Sequence, residues 1–115
     1  MLNRDHRFHG FHALDFAYKR GQSVRASVVS LKYALNDRRQ TYRVAVVVSK
    51  KVSKSAVVRN RIRRRLYEVV REQAANIIQP YDLIFMVYDV QVATMDAKEL
   101  QSSVLGLLKK AGIVV

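Results

Sequence analysis

Eight cationic side chains and no acid occupy the sixteen positions from Lys50 to Arg65, KKVSKSAVVRNRIRRR. Five of the eight are arginines, Arg59, Arg61, Arg63, Arg64 and Arg65. An arginine fork can grip two phosphate oxygens at once and stack on a base, which a lysine point charge does not do. Asn60, between Arg59 and Arg61, adds a neutral donor and acceptor suited to a backbone and a base edge lying together. Cations this dense repel one another unless an anion lies between them, so the chemistry suggested is phosphate binding. The alternative is a solvated basic face with no ligand.

No other constellation offers reaction chemistry. His6, His9 and His12 recur every three residues, a spacing that drifts round a helix and gathers no zinc ligand set. The nine acids show no paired spacing for general acid and base work. A Gly-rich phosphate loop and a Ser-His-Asp arrangement are both missing. Phe85, Met86 and Tyr88 read as core. An active site carried by the chain itself is not expected.

The elements that must position the cations follow from composition and pattern. The chain has 115 residues, half of them hydrophobic, and 21 Lys plus Arg against 9 Asp plus Glu, a net charge of +12. That length and apolar content fit one domain over residues 1–115 with its own core. Apolar runs such as Val44 to Val48 and Leu83 to Val87 are too short to cross a bilayer, and MLNRDHRFHG lacks a signal-peptide core. A cytoplasmic protein with no membrane partner is expected. The absence of cysteine removes disulfide frameworks, thiolate zinc sites and cysteine nucleophiles.

Residues 11–20 have helical spacing and end at Gly21, a C-cap candidate. Residues 24–35 and 42–49 are rich in Val, Leu and Tyr and read as strands of a hairpin or meander joined through NDRRQ. The unbroken apolar run Val44 to Val48 predicts a central strand covered on both faces. From 56 to 78 an apolar stripe of Val58, Ile62, Leu66, Val69, Val70 and Ile77 predicts a helix, with Ser55 as N-cap and Pro80 beyond its end. With Ile62 at zero and 100° per residue, Val58, Leu66, Val69 and Val70 fall between about −40° and +80°. Arg63, Asn60, Arg71, Arg64 and Arg61 occupy about 100° to 260°. One side packs and the other presents guanidinium. Residues 82–88 read as a buried strand, and 96–110 as a last helix with Leu100, Val104, Leu107 and Leu108 inward.

Val48-Ser49-Lys50-Lys51 followed by Val58-Arg59-Asn60-Arg61-Ile62-Arg63-Arg64 closely resembles the protein component of bacterial ribonuclease P, whose helix opens with an RNR motif. Weaker agreement covers nearly the whole chain: Arg7-Phe8, Tyr18-Lys19 before Gly21, Ser23-Val24, Asp82-Leu83-Ile84 and the amphipathic last helix. A small ribosomal or ribosome-assembly RNA-binding protein is the competing reading.

The resemblance implies an α+β fold, a two-layer αβββαβα sandwich with a left-handed crossover, like domain 2 of ribosomal protein S5. It implies a ribonucleoprotein endonuclease for tRNA processing. In it a catalytic RNA subunit, using Mg²⁺, removes the 5′ leader of precursor tRNA, with one protein per RNA, no bond cleavage by the protein and no metal held by the chain. Carried over by motif, Arg59, Asn60, Arg61, Arg63, Arg64 and Arg65 would bind the RNA subunit. Ser49, Lys50, Lys51 and Lys54, with aromatic platforms from Phe16, Tyr18 and Tyr33, would border the cleft for the leader. The chain departs from the family pattern at Leu14, where a Phe is usual, and Tyr33 lies about one position from the usual strand aromatic. Tyr67 and Tyr88 stand where the family often has a basic residue.

Overall fold

The computed structural model describes residues 21–36 and 38–114. Four strands form one sheet: β1 (Gln22–Arg25), β2 (Val29–Leu35), β3 (Arg43–Val47) and β4 (Tyr81–Val87). Two helices follow the pattern of the sequence, α1 (Ala56–Glu72) between β3 and β4, and α2 (Ala97–Lys110) after a short 3₁₀ turn at Val90–Ala93. The helix expected over 11–20 lies outside the described residues.

The sheet order is β1-β2-β4-β3. β1 and β2 form the hairpin, antiparallel through Gln22↔Tyr33 to Arg25↔Ser30. β2 pairs antiparallel with β4, and β4 pairs in parallel with β3, Arg43 opposite Asp82 and Val47 opposite Met86. Two expectations need correction here. Residues 24–35 are not one strand, because the chain turns at 26–28, where the Ala26 N–H donates to the Val29 carbonyl at 2.9 Å. Nor do the strands either side of NDRRQ pair, since β4 lies between them, and β3 is an edge strand instead of a central one. The physical reason is visible in β3 itself. Val44, Val46 and Val48 face the core, whereas Val47 on the other face is 40% exposed.

Strand alternation sorts the core. Val29, Leu31, Leu83, Phe85, Val87, Val44 and Val46 point to one face of the sheet. Against them pack Ile62, Leu66, Val69 and Val70 of α1 and Leu100, Val104, Leu107 and Leu108 of α2. Those two stripes are the ones the helical period predicts. Burial of a Leu or Ile side chain contributes about 1.5–3 kcal/mol, so this layer is the main stabilising term. The α1 stripe ends sooner than predicted: Gln73 caps the helix, a 3₁₀ turn covers Ala74–Asn76, and Ile77 is buried outside it.

The opposite face carries Arg25, Ser30, Lys32, Ala34, Asp82, Ile84, Met86, Arg43, Ala45 and Val47 by register. At one end of it Arg43 holds Asp82 in a fork, Nε to Oδ1 and Nη2 to Oδ2 both at 2.8 Å, and Asn36 Nδ2 donates to Oδ2 at 3.1 Å. Both partners of the ion pair are nearly buried. No spacing rule joins residues 43 and 82, because only the parallel register brings them together.

Candidate RNA interface

The helix that carries the cations is anchored at its start. Ser55 Oγ accepts the Val58 N–H at 3.3 Å, confirming the predicted cap. No acid lies in the first turn, so the positive end of the helix dipole adds to the field of the arginines.

The six RNA-subunit candidates separate into two kinds. Asn60, Arg61 and Arg64 are exposed and Arg63 is half-buried. Arg63 Nη1 donates to Asn60 Oδ1 at 2.8 Å, which fixes the two side chains side by side without neutralising the charge. Among the described residues neither Arg61 nor Arg64 has an ion-pair partner.

Arg65 behaves differently. Its Nη1 donates to the Val92 carbonyl at 2.7 Å and its Nη2 to the Met95 carbonyl at 2.5 Å, tying α1 to the segment before α2. Arg59 is also half-buried, and its Nη1 donates to the Ser53 carbonyl at 2.9 Å. On the wheel centred at Ile62, Arg65 falls at about −60°, at the edge of the apolar stripe, and Arg59 at about +60°, within its arc. That placement is the sequence signal that separates them from Arg61 and Arg64.

The cleft candidates Ser49, Lys50, Lys51 and Lys54 are all exposed on the loop from β3 to α1. The loop is well braced. The Ser49 carbonyl accepts from Val52 N–H at 3.1 Å and Ser53 N–H at 3.4 Å, and Ser53 Oγ accepts from Ser55 N–H at 3.2 Å. Val48 and Val52 plug it into the core, and Arg59 clamps it to the helix. Three lysines are thus presented on a braced turn.

Tyr33 is not placed with them. Its register partner Leu83 puts it on the helix-packed face, opposite to Lys32 and Ile84. Its hydroxyl donates to Gln22 Oε1 at 3.1 Å, and its ring meets Tyr81 edge-on at 6.4 Å. Alternation along β2 explains the difference, since one position along a strand changes the face. Phe16 and Tyr18 lie outside the described residues, as do His6, His9 and His12.

Tyr67 is half-buried against the core. Tyr88, read from sequence as core, is 43% exposed. Its ring lies under the Arg25 guanidinium at 4.7 Å, and its hydroxyl shares a 2.7 Å hydrogen bond with Ser30 Oγ. The sequence gives no hint of the Arg25–Tyr88 contact because Arg25 lies on β1 and Tyr88 follows β4, far apart in the chain.

The negative charge of α1 is kept to its far end. Glu68 bonds Arg71, whose Nη2 donates to Oε2 at 2.9 Å, and that bond first of all lowers the Glu68 pKa to about 2. The same contact raises the Arg71 pKa. Burial pushes the Tyr42 hydroxyl up, with Arg71 acting against it.

The comparisons with known proteins agree with this geometry. Residues 2–112 match the Ribonuclease P family model. The ribonuclease P protein component of Clostridium novyi (strain NT) is 39% identical over 97 residues, covering 84% of each chain. The structure of the Staphylococcus aureus RNase P protein superimposes with a TM-score of 0.84 at 25% identity, covering 96% of this chain and 98% of that one. The Thermotoga maritima RNase P protein shares the fold, with a TM-score of 0.75 at 21% identity over 84% of this chain and 89% of that one. With a family match over nearly the whole sequence and a like fold, this chain belongs to the ribonuclease P protein family.

Proposed function

We propose that the chain works in the cytoplasm as the protein subunit of ribonuclease P, one copy per RNA. In this reading it binds the catalytic RNA subunit through α1 and holds the 5′ leader of precursor tRNA. The observation that carries it is the exposed face of Asn60, Arg61, Arg63 and Arg64, whose cations are not neutralised by acids of α1. A folded RNA supplies the phosphates such a face requires. The braced loop with Lys50, Lys51 and Lys54 meets leader phosphates next to it.

Bond hydrolysis is assigned to the RNA subunit. Magnesium takes oxygen ligands, usually one or two carboxylates together with phosphates and water, and no cluster of three or more His, Asp or Glu stands together among the described residues. The donors of this surface, guanidinium and ammonium, do not fit that ion. The RNA and the substrate hold Mg²⁺ in this reading, and the chain contributes binding and orientation.

Affinity of the reconstituted holoenzyme for precursor and for mature tRNA tests the proposal. Tighter binding of the precursor, dependent on the chain, is expected. Equal affinity for the two substrates with the chain present contradicts leader binding.

A further inference from the structure

Arg65 ties the two helices together at one end and leaves a groove between them. Its bonds to the Val92 and Met95 carbonyls fix the segment that leads into α2. Asp96 then caps α2, its carboxylate accepting the Lys98 N–H at 2.8 Å. Next to this tie, α1 and α2 bound a groove of about 370 Å³. With the start of each helix held in place the groove is preformed, which lowers the ordering cost of filling it.

The floor is apolar and the rim is polar. Val69 and Leu100 are buried, and Ala97 adds a methyl group beside them. Arg64 stands on the α1 wall and Lys98 on the α2 wall. Both are exposed and, among the described residues, neither has an ion-pair partner. Because Arg65 bonds the residues just before α2, these two cations share one end of the groove. Further along, Gln101 follows one turn after Lys98, and Glu72 two turns after Arg64, about 12 Å at 1.5 Å per residue.

The order of these groups describes the occupant. A phosphate fits at the end where a guanidinium and an ammonium face each other. The Glu72 carboxylate repels a second phosphate but accepts an N–H from a base, and an amide such as Gln101 can bond a base edge. A floor of three side chains suits the face of one base, and it is too short for the repeated anchors by which a protein helix docks in a groove. Arg61, exposed one turn before Arg64, carries the cationic face of α1 up to the groove.

We propose that this groove takes one unpaired nucleotide of the catalytic RNA. Its phosphate lies between Arg64 and Lys98, and its base, one bearing an exocyclic amino group, lies on Val69, Ala97 and Leu100 with Gln101 and Glu72 at its edge. The proposal rests on the reading that α1 binds the catalytic RNA, and extends that interface to α2.

Binding titrations of the full chain with its cognate catalytic RNA, combined with base-specific chemical probing of that RNA, test it. The wild-type chain is expected to protect the Watson–Crick edge of one unpaired nucleotide. Lys98→Ala is expected to weaken binding about five- to tenfold and to lower the salt slope by about one unit. Ala97→Leu fills the floor; it is expected to weaken binding about tenfold at an unchanged salt slope and to re-expose that nucleotide while protection elsewhere persists. Both positions are exposed, and a denaturant midpoint near wild type checks that each variant keeps the fold. Wild-type RNA binding in either folded variant, the result a groove made for a protein helix would give, overturns the proposal. So does the absence of any base whose protection Ala97→Leu removes. A wild-type chain that does not bind the RNA contradicts the reading of α1 itself, a result distinct from the loss of one nucleotide contact.

Discussion

Arg61 and Arg64 differ from Arg59 and Arg65 only in the direction the helix turns them, which leaves the first two exposed and bonds the other two to backbone carbonyls. Replacing Arg61 or Arg64 by Ala is expected to weaken the catalytic RNA and to reduce the slope of log K against log salt by about one unit per lost phosphate contact, independently of leader length. Binding titrations across a salt series check this. Arg65→Ala leaves the Val92 and Met95 carbonyls without their donors. It is expected to cost about 1–3 kcal/mol of stability in denaturant unfolding. Its effect on RNA affinity is then no larger than lost folded protein explains. Glu68 offers a pH test. Its pKa is lowered from an ordinary 4.5 to about 2, with the Arg71 bond the largest cause, so the contribution of that bond is present above pH 4.5 and is lost as pH falls toward 2. A carboxyl titration followed by NMR should find the Glu68 midpoint near 2, moving up toward 4.5 in Arg71→Ala; an unchanged midpoint in that variant contradicts the pairing.

Single elements were more legible in the sequence than their arrangement. The α1 stripe, its Ser55 cap, the inward side of α2 and the β4 run all follow from periodicity within one segment. The position of β3 at the edge and of β4 beside β2 does not, because strand order is set by register between segments far apart in the chain. An apolar run such as Val44 to Val48 cannot announce that Val47 faces outward. The Arg43–Asp82 pair is hidden for the same reason, and the Arg25–Tyr88 stack as well. The pair gives the sheet its own prediction. Asp82→Asn leaves the nearly buried Arg43 guanidinium without its counter-charge. It is expected to destabilise the fold by about 3 kcal/mol, read as a lower denaturant midpoint, whereas an unchanged midpoint contradicts a structural role for the pair.

Over the whole molecule, two thirds of the +12 charge lies in Lys50 to Arg65, which the fold distributes over a strand end, a braced loop and a helix. The field is therefore directional. The family was legible in this block because the Lys-Lys turn and the Arg-Asn-Arg helix start lie close together in sequence. The exposure of Tyr88 was not, since strand alternation turns Tyr33 to the helix side while Tyr88 comes from after β4. The central claim is that the chain serves a catalytic RNA in tRNA 5′ processing. Cleavage of precursor tRNA by the cognate catalytic RNA at low Mg²⁺, with and without the chain, measures this directly, because the cations of the protein then replace part of the missing metal screening. Faster cleavage with the chain, at the same site and leaving a 5′ phosphate on the tRNA, is the predicted result; a rate equal to that of the RNA alone contradicts the account.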